Sequence, residues 1–204
     1  MEKVQEFRGV DNLVYAKVTD DTLETYTTSD VKTLAPVAEI SKTTETSSDS
    51  KYYDNKAMLT INAEGADTVA LTVPALDLMT LADLVGKPID AETGAFIDGE
   101  TEPTYIALGY RLKKTDGTYR YVWRYKCSCT IPDETSATEN AGTDTNNQQL
   151  TITGVHTIHK FTKTGKSQKA LVVDESDGKA DLKNFFKAVT TIDTLKPLTP
   201  PSSE

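Results

Sequence analysis

Residues 104–131 constrain the fold more than any other part of the chain, because two alternating runs are joined there by Asp116-Gly117. Such a pair between alternating runs predicts a β-hairpin with a tight turn. A two-residue or four-residue turn places Thr115 opposite Thr118. The apolar side chains of one face then meet in pairs: Leu112 with Tyr121, Tyr110 with Trp123, Leu108 with Tyr125 and Ile106 with Cys127.

The opposite face of this predicted hairpin is basic and carries Arg111, Lys113, Arg120, Arg124 and Lys126. Lys113 lies directly across from Arg120, and like charges in facing positions destabilise a sheet. We therefore expect an acidic partner to cover this face. The alternative interpretation is a solvated surface whose long side chains extend into water.

A three-residue turn with Gly117 in a bulge is the other way to close the hairpin. It shifts the pairing by one residue and places Leu112 opposite Arg120. Because a one-residue slip exchanges the core and surface faces of a strand, we predict the register that pairs the apolar residues.

The length and composition predict one substantial β-rich domain. The chain has 204 residues and is rich in Thr and Asp, which favours strands and turns. We assign residues 1–195 to a single domain and residues 196–204, which are rich in Pro and Ser, to a flexible tail. No apolar run approaches the roughly 18 residues of a membrane span. Residues 1–10 lack the features of a signal peptide, so we expect folding in a reducing cytoplasm.

The charge balance argues against tight binding of nucleic acid. The chain has 31 acidic and 22 basic side chains and a net charge of −9. Phosphate backbones bind to basic surfaces. An acidic wall repels DNA and would suit a passage through which DNA slides.

The rest of the pattern predicts further strands, two helices and two long polar loops. Apolar residues recur at helical spacing in 74–85 and 179–189, so each of these helices should pack on a sheet. Residues 41–56 form a long loop or an extended hairpin tip anchored by Tyr52 and Tyr53, and residues 132–149 form a second exposed loop. Strands are expected at 12–19, 32–40, 58–63, 67–73, 150–162 and 170–173.

The sequence offers little support for catalysis. It contains no G-x-S-x-G elbow, no H-E-x-x-H and no glycine-rich dinucleotide fingerprint. Gly165-Lys166-Ser167 is similar to the end of a phosphate-binding loop, but Lys160 occupies the position of the first glycine, so we predict a β-turn. We expect a protein without catalytic or cofactor-binding residues, and not an enzyme.

Cysteine and histidine do not form a convincing metal-binding pattern. Cys127 and Cys129 lie two apart in a strand and face the same way, which is typical of small core residues. His156 and His159 would point to opposite faces of a strand, so a zinc site has too few ligands. We predict no metal site.

Seven segments, spread over nearly the whole chain, carry a resemblance to one family. They are F-R-G-V-D-N-L-V-Y-A-K-V (7–18), S-K-T-T-E-T-S-S-D-S-K-Y-Y-D-N-K (41–56), T-V-P-A-L-D-L-M-T-L-A (72–82), A-L-G-Y-R-L-K-K-T-D-G-T-Y-R-Y-V-W-R-Y-K (107–126), T-S-A-T-E (135–139), H-K-F-T-K-T-G-K-S (159–167) and the D-G-K-A-D-L…F-F stretch (177–186). In these segments the chain resembles the major tail protein of long non-contractile-tailed phages and prophages of Gram-positive bacteria. The Cys127-Ser128-Cys129 triplet departs from the family, where small residues are expected.

The resemblance implies a tail tube subunit. Its fold would be mainly β, a β-sandwich or barrel-like tail tube fold with one or two flanking α-helices and long polar loops. Six copies would form a ring, and stacked rings would enclose the tape measure protein and later conduct DNA without binding it specifically. The tail terminator and distal tail proteins would be further partners. The subunit would be assembled in the host cytoplasm, without a membrane, and reside in the virion tail.

Two contact regions are expected, one from the resemblance and one from the charge pattern of the hairpin. The long loop of this family commonly reaches neighbouring rings. The basic residues Arg111, Lys113, Arg120, Arg124 and Lys126 are expected to meet acidic residues of an adjacent subunit. The candidate inter-ring residues are Lys42, Glu45, Asp49, Lys51, Tyr52 and Tyr53.

An alternative function is the recognition of a cell surface. An immunoglobulin-like module of a phage or bacterial cell surface would recognise a host glycan or protein through loop 132–149. It predicts a monomer that binds cells, whereas a tail tube subunit predicts hollow tubes.

Overall fold

The computed structural model describes residues 4–133 and 147–199, and within them the chain is mainly β. The one α-helix of these two ranges, α1, spans Leu78–Val85. A 3-10 turn lies at Glu175–Asp177. The strands are β1 (Phe7–Asp21), β2 (Tyr26–Thr28), β3 (Lys32–Thr33), β4 (Glu39–Tyr53), β5 (Lys56–Val73), β6 (Ile106–Lys114), β7 (Tyr119–Cys129), β8 (Gln148–Val155) and β9 (Ala170–Asp174).

The strands form one curled antiparallel sheet, a half-barrel. Its order is β2-β1-β6-β7-β8-β5-β4, with β3 added to β1 and β9 added to β7. This architecture confirms the prediction of a mainly β, barrel-like fold with a flanking helix.

The sheet carries a hydrophobic core on each face. One core packs Ile106 and Leu108 of β6 against Leu84 of α1. The other packs Trp123 of β7 against Phe185 of the C-terminal segment. The indole N–H of Trp123 donates to the Phe185 carbonyl at 2.9 Å, so its polar atom is satisfied in the buried site.

The first predicted helix is present but begins later than expected. Helix α1 starts after Asp77, whose carboxylate accepts a hydrogen bond from the Thr80 N–H at 2.8 Å. It ends at Gly86, which adopts a left-handed φ of 70°. The helical spacing of the apolar residues predicts a buried stripe of Leu78, Leu81, Ala82 and Val85. In the structure Leu78 is 49% exposed, whereas Leu84, outside that stripe, is buried.

The second predicted helix, 179–189, is wrong. Residues 183–189 form a series of turns, with hydrogen bonds such as that from the Phe185 N–H to the Leu182 carbonyl. The Phe185 carbonyl accepts from the side chains of Trp123 and Thr190, so it is taken by groups other than a helical N–H. Phe185 and Val189 are nevertheless buried, as the apolar spacing predicts.

The predicted register of the hairpin is also wrong, and the rejected register is present. Leu112 lies opposite Arg120, and a three-residue turn ends at Gly117, whose φ is 90°. The Lys114 N–H donates to the Thr118 carbonyl at 2.8 Å across this turn. The slip is tolerated because both faces of the hairpin are buried, so it exchanges one core for another rather than core for solvent.

A register shift between Ile106 and Leu108 partly compensates for the slip. It returns Ile106 to its predicted position opposite Cys127. Between the three-residue turn and this register shift, every residue of β6 has a different partner from the predicted one. Gly109, for example, faces Trp123.

Residues 39–73 form a long β-hairpin rather than the predicted loop and two short strands. The turn lies at Asp54 and Asn55, with φ of 48° and 62°, as expected of a two-residue turn of the mirror-image type. The extended hairpin tip that the sequence allowed for 41–56 is thus present. The gap between the two predicted strands 58–63 and 67–73 is occupied by a bulge within β5.

Other predicted boundaries differ more modestly. The expected strand 32–40 is interrupted: Lys32–Thr33 form β3, and only its last two residues, Glu39 and Ile40, belong to β4. The strand expected at 150–162 ends at Val155. Gly165 occupies a turn with φ of 63°, as predicted. Most of loop 132–149 and the last residues of the tail lie outside the described residues.

Candidate interaction surface

Part of the β4–β5 hairpin extends beyond the sheet. Among the described residues, β5 pairs with β8 only from Asp67 to Val73, and its earlier residues pair with β4 alone. We call this two-stranded part, residues 46–64, the arm. Each of its strands is about 26 Å long at ~3.3 Å per residue.

One face of the arm is partly apolar. Leu59 lies opposite Lys51 and Ile61 opposite Asp49, so these four side chains share a face. Leu59 is 51% exposed and Ile61 is 50% exposed. The other face is polar and pairs Ser50 with Thr60 and Ser48 with Asn62.

The tip of the arm carries further exposed apolar groups. Tyr52, Tyr53 and Met58 are each more than half exposed. A two-stranded hairpin is marginally stable in water by itself. Clusters of exposed apolar side chains commonly mark sites of protein contact, so the arm is a candidate interaction surface.

The structure brings the six predicted inter-ring residues onto a single strand, β4. Sequence reasoning missed the apolar residues of the facing strand, Leu59 and Ile61. The alternation in 58–63 predicts an ordinary strand of the sheet. Leu59 and Ile61 are exposed because β8 pairs with β5 only from Asp67 to Val73. The predicted residues lie at the root (Lys42 and Glu45), along the arm (Asp49 and Lys51) and at its tip (Tyr52 and Tyr53).

A buried carboxylate lies at the root of the arm. Asp67 is 3% exposed and pairs with Arg124 at 2.6 Å and with Lys169 at 3.1 Å. It also accepts a hydrogen bond from the Thr44 hydroxyl at 2.8 Å, and Lys42 lies 3.6 Å away. Burial by itself would raise the pKa of Asp67, but these donors and charges outweigh it and hold the pKa below its ordinary value.

The five basic residues of the β6–β7 hairpin do not form one face. In the observed register Arg111 and Lys113 lie on the side of Trp123, whereas Arg120 and Arg124 lie on the opposite side. Four of the five pair with a carboxylate of the same chain: Arg111 with Asp11 (2.5 Å), Arg120 with Asp174 (2.7 Å), Arg124 with Asp67 (2.6 Å) and Lys126 with Asp21 (2.6 Å).

An acidic partner is expected from the sequence because unpaired cations would face one another on the hairpin. The ion pairs within the chain already neutralise four of these five cations. The Lys113 ammonium lies 5.8 Å from the centre of the Tyr119 ring, an attractive arrangement for a cation. Arg124 and Lys126 are 6% and 9% exposed, which leaves them little surface for a neighbour. A subunit contact through the other three stays a prediction: Arg111 and Arg120 already pair within the chain, whereas the exposed Lys113 has no carboxylate partner among the described residues.

The two thiols are unsuited to reaction. Cys127 is fully buried in the core that contains Ile106. Burial raises the pKa of Cys127 and of Cys129 to about 12, so both remain protonated near neutral pH. Within residues 4–133 and 147–199, there is no group of three or more His, Cys, Asp or Glu side chains that could hold a metal ion.

Comparison with known proteins gives no identification. No protein-family model matches the sequence, and no curated protein matches it significantly. In the described part of the chain, no helix is both long and apolar enough to cross a membrane.

Proposed function

We propose that this chain is a structural subunit that assembles with copies of itself, as the tail tube protein of a long-tailed phage or prophage. The arm carries the proposal. It extends beyond the sheet, exposes Leu59 and Ile61 on one face, and offers strand edges that the described residues leave open. Such edges are prone to pair with or pack on another chain.

Assembly would give the arm the support that it lacks in a single subunit. A stable contact between subunits generally buries about 1,000 Å² or more in total. Two strands of roughly 26 Å with an apolar stripe can supply a substantial part of such an area. The contact of one surface with a different surface of the next copy produces closed rings or open stacks, depending on the rotation between subunits.

The remaining features of the proposal come from the resemblance and the charge. Rings of six would stack around the tape measure protein, with the tail terminator and distal tail proteins at the ends, and the product would belong to the virion tail. The net charge of −9 is compatible with a lumen through which DNA passes without binding. The proposed contact between rings consists of six residues of β4: Lys42, Glu45, Asp49, Lys51, Tyr52 and Tyr53.

Electron microscopy of the concentrated protein in negative stain tests the proposal directly. We expect hollow tubes or stacked rings. The double variant Leu59→Ser/Ile61→Ser should abolish them, because it removes the apolar stripe of the arm. A protein that stays monomeric at every concentration and binds bacterial cells would instead support the surface-binding module.

A matched pair of substitutions on the polar face serves as the control. Thr60→Ala/Asn62→Ala lies on the same strand but on the face opposite Ile61. This variant should form tubes like the parent protein. Equal loss of tubes in both variants would show that the apolar face has no special role.

A further inference from the structure

The arm begins where the sheet has a break. β8 and β9 both pair with the same edge of β7, β9 with residues 120–124 and β8 with residues 126–129. Asp67 of β5 pairs with Gly154 near the end of β8. The residues of β5 that precede Asp67 do not pair with β8. Lys169, which immediately precedes β9, lies next to this point, with its ammonium 3.1 Å from Asp67 Oδ1.

The β4–β5 ladder contains a bulge at this point, formed by Glu45, Gly65 and Ala66, which we call the pivot. Thr44 pairs with Asp67, but Thr46 pairs with Glu64, so the single residue Glu45 faces both Gly65 and Ala66. Bulges bend a strand and interrupt its ladder. The chains also approach closely here, since a Cβ atom on Gly65 would lie 2.7 Å from Glu45 Oε2 and 2.9 Å from Glu45 Cβ.

Lys169 bridges the two sides of this pivot. Its ammonium donates to the Gly65 carbonyl at 3.1 Å and to Asp67 Oδ1 at 3.1 Å, and Glu64 Oε2 lies 3.7 Å away. Glu64 belongs to the arm and Asp67 to the sheet. The Lys169 side chain is only 13% exposed, which strengthens these contacts relative to a surface pair.

The backbone of Lys169 is fixed to the centre of the sheet. Its carbonyl accepts a hydrogen bond from the Tyr125 N–H of β7 at 2.9 Å. The preceding Gln168 carbonyl accepts from the Thr157 N–H at 3.1 Å. These backbone hydrogen bonds fix the position from which the Lys169 side chain extends to the pivot.

We propose that Lys169 is a clasp that sets the direction of the arm relative to the sheet, by holding the Gly65 carbonyl and the Asp67 carboxylate across the bulge. Loss of the ammonium frees the arm to swing about residues 45 and 65–66. The fold survives that loss, because Arg124 and Thr44 still hold Asp67 on the sheet side. The clasp acts within one chain, so it holds whether or not the subunit builds a tube.

Distance measurement between two spin labels tests the clasp on the isolated chain at low concentration. One label replaces Ser50 on the arm and the other replaces Lys187, which is exposed on the C-terminal segment. The native thiols, with pKa values of about 12, should not compete for the label at neutral pH. The parent protein should give one narrow distance distribution.

The variant Lys169→Met should broaden this distribution at least twofold, and Lys169→Arg should keep it narrow because the charge is retained. Lys166→Met is the matched control, since this exposed lysine belongs to the same connection. An unchanged width in Lys169→Met, with near-ultraviolet circular dichroism like that of the parent, would overturn the proposal. Equal broadening by Lys166→Met would also overturn it.

A substitution at the pivot gives a second test that leaves the lysine in place. In Gly65→Ala the added Cβ forces the strand away from Glu45, so the centre of the distance distribution should move by several ångströms. No movement would show that the arm does not turn at this bulge. Because the chain is monomeric in this measurement, failure of the clasp and failure of tube formation are separate results.

Discussion

The guanidinium of Arg124 lies 2.6 Å from the carboxylate of Asp67, and both side chains are buried. The pair connects β7 to β5 across the intervening β8. It joins the centre of the sheet to the root of the arm. The Tyr110 hydroxyl, 3.2 Å from two nitrogens of the same guanidinium, completes its surroundings.

Removal of one partner of this pair should be costly. Arg124→Met leaves the Asp67 carboxylate buried with fewer compensating charges, and we expect a loss of about 3–5 kcal/mol in the free energy of unfolding. Denaturation in urea, followed by the fluorescence of Trp123, measures it. Charge reversal at Arg124 would therefore disturb the fold and is a poor test of a subunit contact.

Two further variants make this prediction specific. Arg124→Met/Asp67→Asn should recover part of the loss, because the isolated charge is gone. Arg111→Met removes a more exposed ion pair and should cost about 1 kcal/mol or less. Equal losses at Arg111 and Arg124 would contradict the role of burial.

Acid should destabilise the protein through its paired aspartates. The hydrogen bonds and charges of Arg120 and Lys114 lower the pKa of Asp174 from 3.8 to about 2, against the opposing effect of burial. Because the folded pKa lies below the unfolded one, the stabilisation is present above about pH 4 and is lost as the pH falls toward 2. Asp21, Asp67 and Asp83 also have lowered pKa values.

Urea midpoints measured between pH 2 and pH 7 check this expectation. The parent should be nearly constant above pH 5 and weaken steadily below it. Asp174→Asn should be less stable at pH 7 and show a shallower decline in acid. An equally steep decline in this variant would assign the acid sensitivity to other groups.

Gly109 should tolerate no larger residue. A Cβ atom there would lie 2.8 Å from Cζ3 of Trp123 and 2.8 Å from Cγ2 of Val14, both of which are buried. Gly109→Ala should therefore destabilise the fold by about 1–3 kcal/mol through overpacking. Gly99→Ala, where the nearest atom is Cγ2 of Ile97 at 4.0 Å, is the control and should change stability little.

Gly109 also shows what the sequence can and cannot predict here. The alternation in 104–131 correctly predicts the hairpin and the pairing of Ile106 with Cys127. It does not determine the register between them. Hydrophobic alternation specifies the register when one face of a strand is buried and the other is exposed to solvent, whereas both faces are buried in this sheet. The space opposite Gly109 that admits Trp123 becomes visible only in the three-dimensional structure.

The same limit applies to the C-terminal segment and the arm. The spacing of Phe185 and Val189 correctly predicts burial but not helix, because the hydrogen bonds of the Phe185 carbonyl come from residues far away or outside a helical pattern. The exposure of Leu59 and Ile61 depends on where β8 ends. Contacts between distant parts of the chain decide these features, and local periodicity does not record them.

Asn55 should control the order of the arm without affecting the rest of the fold. It adopts a φ of 62°, which asparagine and glycine accept and β-branched residues resist. Asn55→Val should therefore speed amide hydrogen exchange in residues 46–64 by tenfold or more, whereas Asn55→Gly should leave it unchanged or slow it. The urea midpoint reported by Trp123 should stay the same in both variants, because the arm is separate from the two cores. A drop of the midpoint in Asn55→Val that matches the faster exchange would show that the arm and the sheet unfold together.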